Sequence, residues 1–332
     1  MIKRLRSIKT SLDKRRRENE ILKFNNDNKK NGRFDDFSKH IIISGEPRGG
    51  TTWLMELLMN DSTNLVWEPL FHKRLNEHSA GLYNKFGHMP YIPENAQWKE
   101  GKEYFNSLFR GELKYGLFKN HHYSGKKLKD KDRMLFKFCR ANMLLPWLTK
   151  EFPTIKPIYL VRHPLSVISS QFRHPAFEGI GTKVNLFELR KSENPMFSDI
   201  FDRYEDKISK INSRESMFAN WWAIQNMLAL PNPDNKWLTV SYESLYLNPV
   251  NELERISKFT GIPVSEFSLD NIEKPSKTTL AGSGILEKKD QLSNFRKHLT
   301  QNQINEILEI INSYGIDAFN EDLEPDYMKL RY

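Results

Sequence analysis

The stretch that decides the fold is Ile41-Ile42-Ile43-Ser44-Gly45-Glu46-Pro47-Arg48-Gly49-Gly50-Thr51-Thr52-Trp53-Leu54. It opens with a β-branched apolar run, which predicts a buried strand, and a cluster of Gly and Pro then ends that strand. Apolar residues resume at helical spacing with Leu54, Leu57 and Leu58. Strand, glycine-rich turn and helix start together predict an anion site, because the first N–H groups of a helix have no partner and the helix dipole favours negative charge there.

The spacing of this loop is that of a nucleotide-binding P-loop. Gly45 and Gly50 stand where a Walker A motif has its glycines, but Thr51 occupies the position of the Lys that binds phosphate. We therefore expect the loop to hold a phosphate-like group without being an ordinary ATPase loop.

The composition indicates a globular domain. The 332 residues suffice for one large core or for a core and a smaller lobe, and no apolar run approaches the ~20 residues of a membrane-spanning helix. A single cysteine, Cys139, excludes an internal disulfide, and no set of His, Cys, Asp and Glu has the spacing of metal ligands. The net charge of +9 is modest for this length and partly concentrated near the start, so we expect no nucleic-acid partner.

Residues 1–33 form a basic segment that we separate from a single domain at 34–332. Apolar residues recur at roughly helical spacing, which would suit a short amphipathic helix at an anionic membrane surface: Ile2, Leu5, Ile8 and Leu12. The small number of apolar residues equally suits a solvated, partly disordered tail. The composition of the segment leaves both interpretations open.

From Lys39 onward, apolar strands alternate with helices. After the first strand, further strands are predicted at 64–67, 133–138, 157–161 and 236–241. Helices are predicted after Gly50, at 141–150, after Pro164, and at 214–230, 249–260 and 300–313. This alternation predicts a three-layer α/β/α fold with a mostly parallel central sheet. Segments 70–130 and 174–215 lack a sustained period, and we expect them to face the substrate.

A second cluster of polar residues begins at Arg162, at the end of the predicted strand 157–161. Ligands of open α/β sheets bind at the carboxyl ends of the strands, and an arginine can bind a phosphate through two hydrogen bonds. Ser170 follows about two helical turns later and could donate to the same oxygens. Alternatively, Arg162 pairs with a carboxylate and Ser170 is an ordinary helix residue.

These segments resemble a known family. The segment Pro47-Arg48-Gly49-Gly50-Thr51-Thr52-Trp53-Leu54 resembles the 5′-phosphosulfate loop of sulfotransferases that use 3′-phosphoadenosine 5′-phosphosulfate (PAPS). The segment from Arg162 to Ser170 resembles the 3′-phosphate site of the same family, with the expected interval. Segments 239–245, 248–249 and 259–263 are similar to a later strand and helix of the family. The resemblance spans about residues 39–310 and rests on three motifs in the right order.

The resemblance implies which residues bind PAPS. The residues around the 5′-phosphosulfate would be Arg48, Gly49, Gly50, Thr51 and Thr52. Trp53 would lie near the adenine, and Arg162 and Ser170 would hold the 3′-phosphate. Arg48 would replace the missing Lys, and no metal is required.

Two features of the sequence indicate which branch of the sulfotransferase family it resembles more closely. Cytosolic members usually have Lys in place of Arg48, whereas carbohydrate and tyrosyl-protein members have Arg. The Arg-Lys-Gly segment of cytosolic members is not evident in 277–284. The resemblance is therefore closer to the carbohydrate branch than to the phenol and steroid branch.

Sulfuryl transfer needs acid–base and charge-stabilising groups in addition to Arg48, and three residues are candidates for these roles. Trp67-Glu68-Pro69 resembles the Phe-Glu-Pro of carbohydrate sulfotransferases, which implies that Glu68 is the general base; a surface or capping carboxylate is the alternative. His122 is the rival, because cytosolic sulfotransferases use a histidine base from this part of the chain. Lys137 could contact the leaving or transferred group, or it could be solvated.

We therefore expect an enzyme that moves a sulfuryl group from PAPS to a hydroxyl, by in-line transfer with a carboxylate base. The acceptor implied is a carbohydrate or glycolipid. A P-loop kinase or nucleotide hydrolase and a non-catalytic nucleotide-binding module remain as alternatives. Luminal members of the family usually carry an N-terminal membrane anchor. Because this sequence shows no apolar run of that length, we expect the chain in the cytoplasm, with any membrane contact made by the basic segment 1–33. The oligomeric state is left open.

Overall fold

Five parallel strands form the sheet at the centre of this computed structural model. They are β1 (Ile41–Gly45), β2 (Thr63–Trp67), β3 (Arg133–Phe138), β4 (Pro157–Val161) and β5 (Leu238–Ser241). Their order across the sheet is β2-β3-β1-β4-β5, and each of these pairings is parallel. The structure describes residues 2–60, 63–71, 90–112, 133–183, 185–187, 198–232, 234–279 and 291–330.

Helices cover both faces of the sheet. They are α1 (Ile2–Asn31), α2 (Thr51–Leu58), α3 (Lys99–Phe109), α4 (Leu145–Glu151), α5 (Pro164–Phe172), α6 (Ser198–Ile208), α7 (Arg214–Asn226), α8 (Tyr242–Leu247), α9 (Pro249–Thr260) and α10 (Gln301–Ser313). Alternate residues of a strand face opposite sides of a sheet. Ile41 and Ile43 therefore pack with α2, α8 and α9, whereas Ile42 packs on the other face with α1, α3 and α4. The predicted three-layer α/β fold is confirmed.

Most boundaries of the observed strands and helices lie within a few residues of those predicted from the sequence. All four later strands form where apolar runs predicted them, and α9 ends at Gly261, whose φ of 77° suits a glycine C-cap. α7 is shorter than the predicted 214–230, since its last helical residue is Asn226. The sequence pattern did not predict α3, α6 or α8.

The segments predicted to face the substrate contribute to the core where the structure describes them. Phe105 and Phe109 of α3 are fully buried against Trp147, and Ile200 of α6 is fully buried beneath α7. These helices lie inside 70–130 and 174–215, so part of each segment stabilises the domain. A role in binding the acceptor stays a prediction for both.

The basic segment at the start of the chain is helical and partly packed, which differs from a disordered tail. Ile21 and Phe24 of α1 are buried in the same cluster as Phe34, and the Phe24 and Phe34 rings lie 5.9 Å apart. Burial of these side chains offsets the entropy lost when the segment becomes ordered. Within the described residues, no helix combines the length and the apolar character needed to cross a membrane. Contact of α1 with a membrane surface stays a prediction.

Candidate active site

The loop between β1 and α2 is held in a tight turn by its glycines. A Cβ on Gly45 would lie 2.6 Å from the carbonyl oxygen of Leu160, and one on Gly50 would lie 2.5 Å from the Tyr242 ring. Gly50 also has a φ of 96°, which L-residues with side chains rarely adopt. Larger residues at these two positions would push the loop away from β4 and α8.

α2 begins directly after this loop and has no side-chain cap. Its first intrahelical bond runs from the N–H of Leu54 to the carbonyl of Gly50, at 3.2 Å. The N–H groups of residues 51–53 precede that bond, so they are the orphan donors of a helix start. Such a helix start favours an anion, so this geometry is compatible with the anion site that the sequence predicts.

Backbone strain marks two of the predicted site residues. Arg48 has a φ of 74° and Glu68 a φ of 48°, and Asn235 is the only other non-glycine residue in the described ranges with a positive φ. Such conformations cost about 1–3 kcal/mol each and cluster at functional sites. Arg48 and Glu68 each lie shortly after the end of a strand, where the chain turns sharply and places a charged side chain.

The two predicted phosphate motifs come together in space. The Arg48 guanidinium donates from Nε to Ser170 Oγ at 3.2 Å, and Arg162 Nη1 donates to the Arg48 carbonyl at 3.4 Å. The Arg162 guanidinium also lies 4.1 Å from the centre of the Tyr242 ring. Burial and the neighbouring Arg162 lower the pKa of Arg48. Arg162 is itself buried, and its Nε has no partner in the described structure, which leaves a donor for a ligand.

Glu68 lies at the centre of a buried ionic group. Lys137 donates from Nζ to its Oε1 at 2.6 Å, and the backbone N–H of Cys139 donates to Oε2 at 2.8 Å. Burial alone would raise the pKa of Glu68, but Lys137 and Arg140 hold the pKa below its ordinary value. Burial would likewise lower the pKa of Lys137, but Cys139 and Glu68 raise it. Both side chains are therefore ionised at neutral pH.

Lys137 stands between Glu68 and the open part of the site. A cavity of about 670 Å³ is lined by Lys137 and by the loop residues Arg48, Thr51 and Thr52, but Glu68 does not reach its wall. The Thr51 hydroxyl also lies 3.3 Å from the Cys139 sulfur, which joins the loop to the ionic group. The predicted base is close to the cavity but separated from it by a charged side chain.

Aromatic side chains also line this cavity, beside the cationic ones. Tyr242 and Tyr246 stack with an interplanar angle of 9°, and the Trp53 ring lies 5.5 Å from Tyr242. Trp53 donates from Nε1 to the Asn271 carbonyl at 3.2 Å, which fixes its ring. A cavity with an aromatic wall and a cationic wall suits a ligand that has a planar apolar part and anionic groups.

Sequence reasoning did not assign Tyr242 or Arg140 to the site. Tyr242 directly follows β5, so the rule that ligands bind at the carboxyl ends of parallel strands could have identified it. Its neighbour Glu243 is structural, because its Oε1 accepts from the His163 N–H at 3.0 Å. His122 lies outside the described residues, as do positions 280–284 of the segment compared with the Arg-Lys-Gly pattern.

Glu46 is a further site residue that sequence reasoning missed. Its side chain points from the loop between β1 and α2 toward α7 and is 3% exposed. Neither carboxyl oxygen has a hydrogen-bond partner in the part of the chain that the structure describes. Burial raises the pKa of Glu46 to about 8, while Arg140 and the amide of Asn226 oppose this rise. Burial therefore favours the neutral form of this carboxyl at pH 7.

Solved structures of sulfotransferases are similar to this chain over most of its length. Solved structures with a similar course of the chain include the sulfotransferase domain from the curacin biosynthetic pathway, which is 16% identical over 85% of this chain and 98% of that chain, with a TM-score of 0.44. Mouse sulfotransferase SULT7A1 complexed with PAP is 16% identical over 85% and 87% of the two chains, with a TM-score of 0.39. The sulfotransferase domain from the olefin synthase of Synechococcus PCC 7002 is 16% identical over 83% and 94%, with a TM-score of 0.38.

A search among curated proteins gives no significant match. The sequence profile of the sulfotransferase domain, in contrast, matches residues 38–314. The matched region contains the five described strands of the sheet, the loop between β1 and α2, and the segment from Arg162 to Ser170. Because the match covers most of the chain, this protein belongs to the sulfotransferase domain family and is an enzyme of that class.

Proposed function

We propose that this enzyme transfers the sulfuryl group of PAPS to a hydroxyl of its acceptor and releases adenosine 3′,5′-bisphosphate (PAP). The observation that carries the proposal is the contact between the two phosphate motifs, in which Arg48 donates to Ser170, together with the position of Arg48 and Arg162 in the lining of the cavity of about 670 Å³. A nucleotide with phosphates on both its 5′ and 3′ oxygens needs two such anion sites, and the aromatic wall suits its adenine.

In this proposal the orphan N–H groups at the start of α2, with Thr51, Thr52 and Arg48, hold the phosphosulfate. The acceptor oxygen attacks sulfur, a new O–S bond forms, and the S–O bond to the phosphate breaks. Negative charge grows on the bridging oxygen, where Arg48 and Lys137 stabilise it. No step of this transfer needs a metal ion.

Glu68 is the proposed general base, which takes the proton of the acceptor hydroxyl. Lys137 lines the cavity and is hydrogen-bonded to Glu68 Oε1. We infer that Lys137 turns toward the sulfuryl oxygens when PAPS binds, since their negative charge competes with the carboxylate for its ammonium group. That movement frees Oε1 to accept a proton. His122 remains the alternative base.

The proposed acceptor is a carbohydrate or glycolipid. Trp67-Glu68-Pro69 and Arg48 support this choice, because they resemble the carbohydrate branch of the family. The acceptor is identified by incubating the enzyme with PAPS and candidate glycans, glycolipids and small phenols. We expect a mass gain of one SO₃ group on a glycan or glycolipid, whereas a gain confined to the phenols would contradict the assignment.

The donor is tested by comparing the binding of PAP and ATP by calorimetry, without and with magnesium. We expect PAP to bind clearly more tightly than ATP, because ATP lacks the 3′-phosphate for the site of Arg162 and Ser170. Equal affinities, or no affinity for PAP, would contradict the proposal. Magnesium-dependent turnover of ATP would favour a kinase or nucleotide hydrolase instead.

A further inference from the structure

The end of α5 carries two basic residues that the proposed donor site has not yet used. Arg173 and His174 follow Ser170 at the third and fourth positions, and such positions lie on the same face of a helix. α5 ends at Phe172, and Arg173 still has helical dihedral angles as its C-cap. Arg173 therefore lies on the same face of α5 as Ser170, whereas His174 lies just beyond the helix in an extended conformation, with a φ of −96° and a ψ of 128°.

His174 lines the same cavity as Arg48 and Arg162 and is half-buried there. Its Nδ1 accepts a hydrogen bond from the backbone N–H of Ala176 at 3.1 Å. A neutral histidine that accepts at Nδ1 carries its proton on Nε2. The ring is thus oriented by the backbone, and its Nε2–H is a donor that the backbone does not use.

Positive charge is concentrated around Ser170. Among the residues that the structure describes, Arg48, Arg162 and Arg173 form no ion pair, and neither does His174. Arg173 is exposed at the rim and donates from Nε to the Ser169 carbonyl at 3.2 Å. Such a group of cations beside a hydroxyl is suited to a phosphate dianion.

We propose, on the basis of the proposed function, that His174 is a further ligand of the donor nucleotide and donates from Nε2 to its 3′-phosphomonoester. Arg173 adds charge at the rim of the same subsite. His174 then contributes to the preference for nucleotides that carry a 3′-phosphate. It acts on the affinity for donor and product rather than on the chemical step at the 5′ end.

The charges around His174 decide its protonation state when PAP binds. Several charged or titratable groups surround His174: Arg48 from the loop between β1 and α2, Arg162 from the end of β4, Arg173 beside it, and Glu178 and Arg214 around an adjoining cavity of about 290 Å³; His298 lies near Arg173. Burial and then Arg48 lower the pKa of His174 in the free protein. A phosphate dianion at Nε2 favours the charged form, but a second proton could be placed only on Nδ1, which already accepts from the Ala176 N–H. His174 therefore binds the phosphate as a neutral donor.

The test compares PAP with adenosine 5′-monophosphate, which lacks the 3′-phosphate, by calorimetry of wild type, His174→Ala, His174→Gln and Lys183→Ala. Lys183 is exposed and does not line the cavity, so its variant controls for the loss of one positive charge nearby. We expect His174→Ala to weaken PAP about tenfold or more, the usual effect of losing a hydrogen bond to a charged group. Its affinity for adenosine 5′-monophosphate, and both affinities of Lys183→Ala, should stay within about twofold of wild type.

Titrations in buffers of different ionisation enthalpy measure the protons exchanged on binding. Because His174 binds as a neutral donor, we expect wild type and His174→Gln to exchange the same number of protons with PAP near pH 7, while the Gln amide keeps part of the affinity. Proton uptake by wild type that His174→Gln lacks would contradict the neutral-donor geometry. The inference is wrong if both His174 variants bind PAP like wild type, or if they weaken PAP and adenosine 5′-monophosphate equally. Absence of PAP binding by wild type would instead overturn the proposed function, and with it the ligand assigned to His174.

Discussion

The buried carboxyl of Glu46 makes the stability of this protein depend on pH in a way that one substitution can isolate. Its pKa is about 8 in the folded protein because burial disfavours the charged form, against an ordinary value of 4.5. The nearby Asn226 offers little relief, since its Oδ1 already accepts from Tyr159 and Asn142 and its Nδ2 donates to the Trp222 carbonyl. Glu46→Gln replaces the neutral carboxyl by a neutral amide of the same shape.

The size of the effect follows from the two pKa values. Below pH 4.5 the carboxyl is protonated in both states and does not change stability with pH. Between pH 4.5 and 8 the unfolded chain releases the proton and the folded chain keeps it, so stability falls as pH rises. Each pH unit in this window costs about 1.4 kcal/mol, so the loss by pH 7 is on the order of 3 kcal/mol as an upper bound.

The assay is urea unfolding of wild type and Glu46→Gln at several pH values from 4.5 to 8.5. We expect the free energy of unfolding of the variant, relative to wild type, to rise by about 2–3 kcal/mol between pH 4.5 and 7 and to level off above pH 8. A constant offset is expected as well, because the amide brings an N–H donor to a position where the carboxyl oxygens have no hydrogen-bond partner among the described residues. The test therefore uses the change in unfolding free energy with pH.

Glu254→Gln is the matched control. Glu254 is exposed on α9, so this substitution should leave the pH dependence of unfolding unchanged. A difference between Glu46→Gln and wild type that does not vary with pH would refute the reasoning, because it would mean that Glu46 is ionised in the folded protein at pH 7.

Three further variants test the site and the loop. Glu68→Gln should lose turnover and keep its affinity for PAP, because Glu68 does not line the cavity; turnover like that of wild type would remove it as the base. Lys137→Met leaves the Glu68 carboxylate buried without its ammonium partner and should cost about 3–5 kcal/mol in urea unfolding, with Lys150→Met on the surface as the control. Unfolding like that of wild type would mean that Glu68 does not depend on Lys137. Gly50→Ala should weaken PAP binding and lower the melting temperature, since its Cβ would meet the Tyr242 ring; an unaltered affinity would mean that the loop does not need its glycine.

The fold was predictable to the extent that its signals are local. Strands such as Ile41–Gly45 and Pro157–Val161 are apolar runs that end at Gly or at Arg, and helices such as Pro249–Thr260 end at a glycine. α1 was harder, because its apolar residues are sparse and the helix is stabilised by contacts of Ile21 and Phe24 with Phe34 and α3. α3 and α6 are amphipathic, but each spans only eleven residues within a long segment that has no sustained pattern, so the sequence analysis did not locate them.

The sequence by itself determined the parallel α/β architecture and the turn between β1 and α2, because residues a few positions apart encode strands, turns and helix starts. Anion binding at this turn and at Arg162 and Ser170 stays a prediction from the same local pattern. Only the tertiary structure decided that Arg48 meets Ser170 across 122 positions, that Lys137 separates Glu68 from the cavity, and that Glu46 is buried without a partner. The physical reason is that burial and charge pairing arise between segments distant in the chain. These contacts set the pKa values, and the spacing of residues in a motif does not record them.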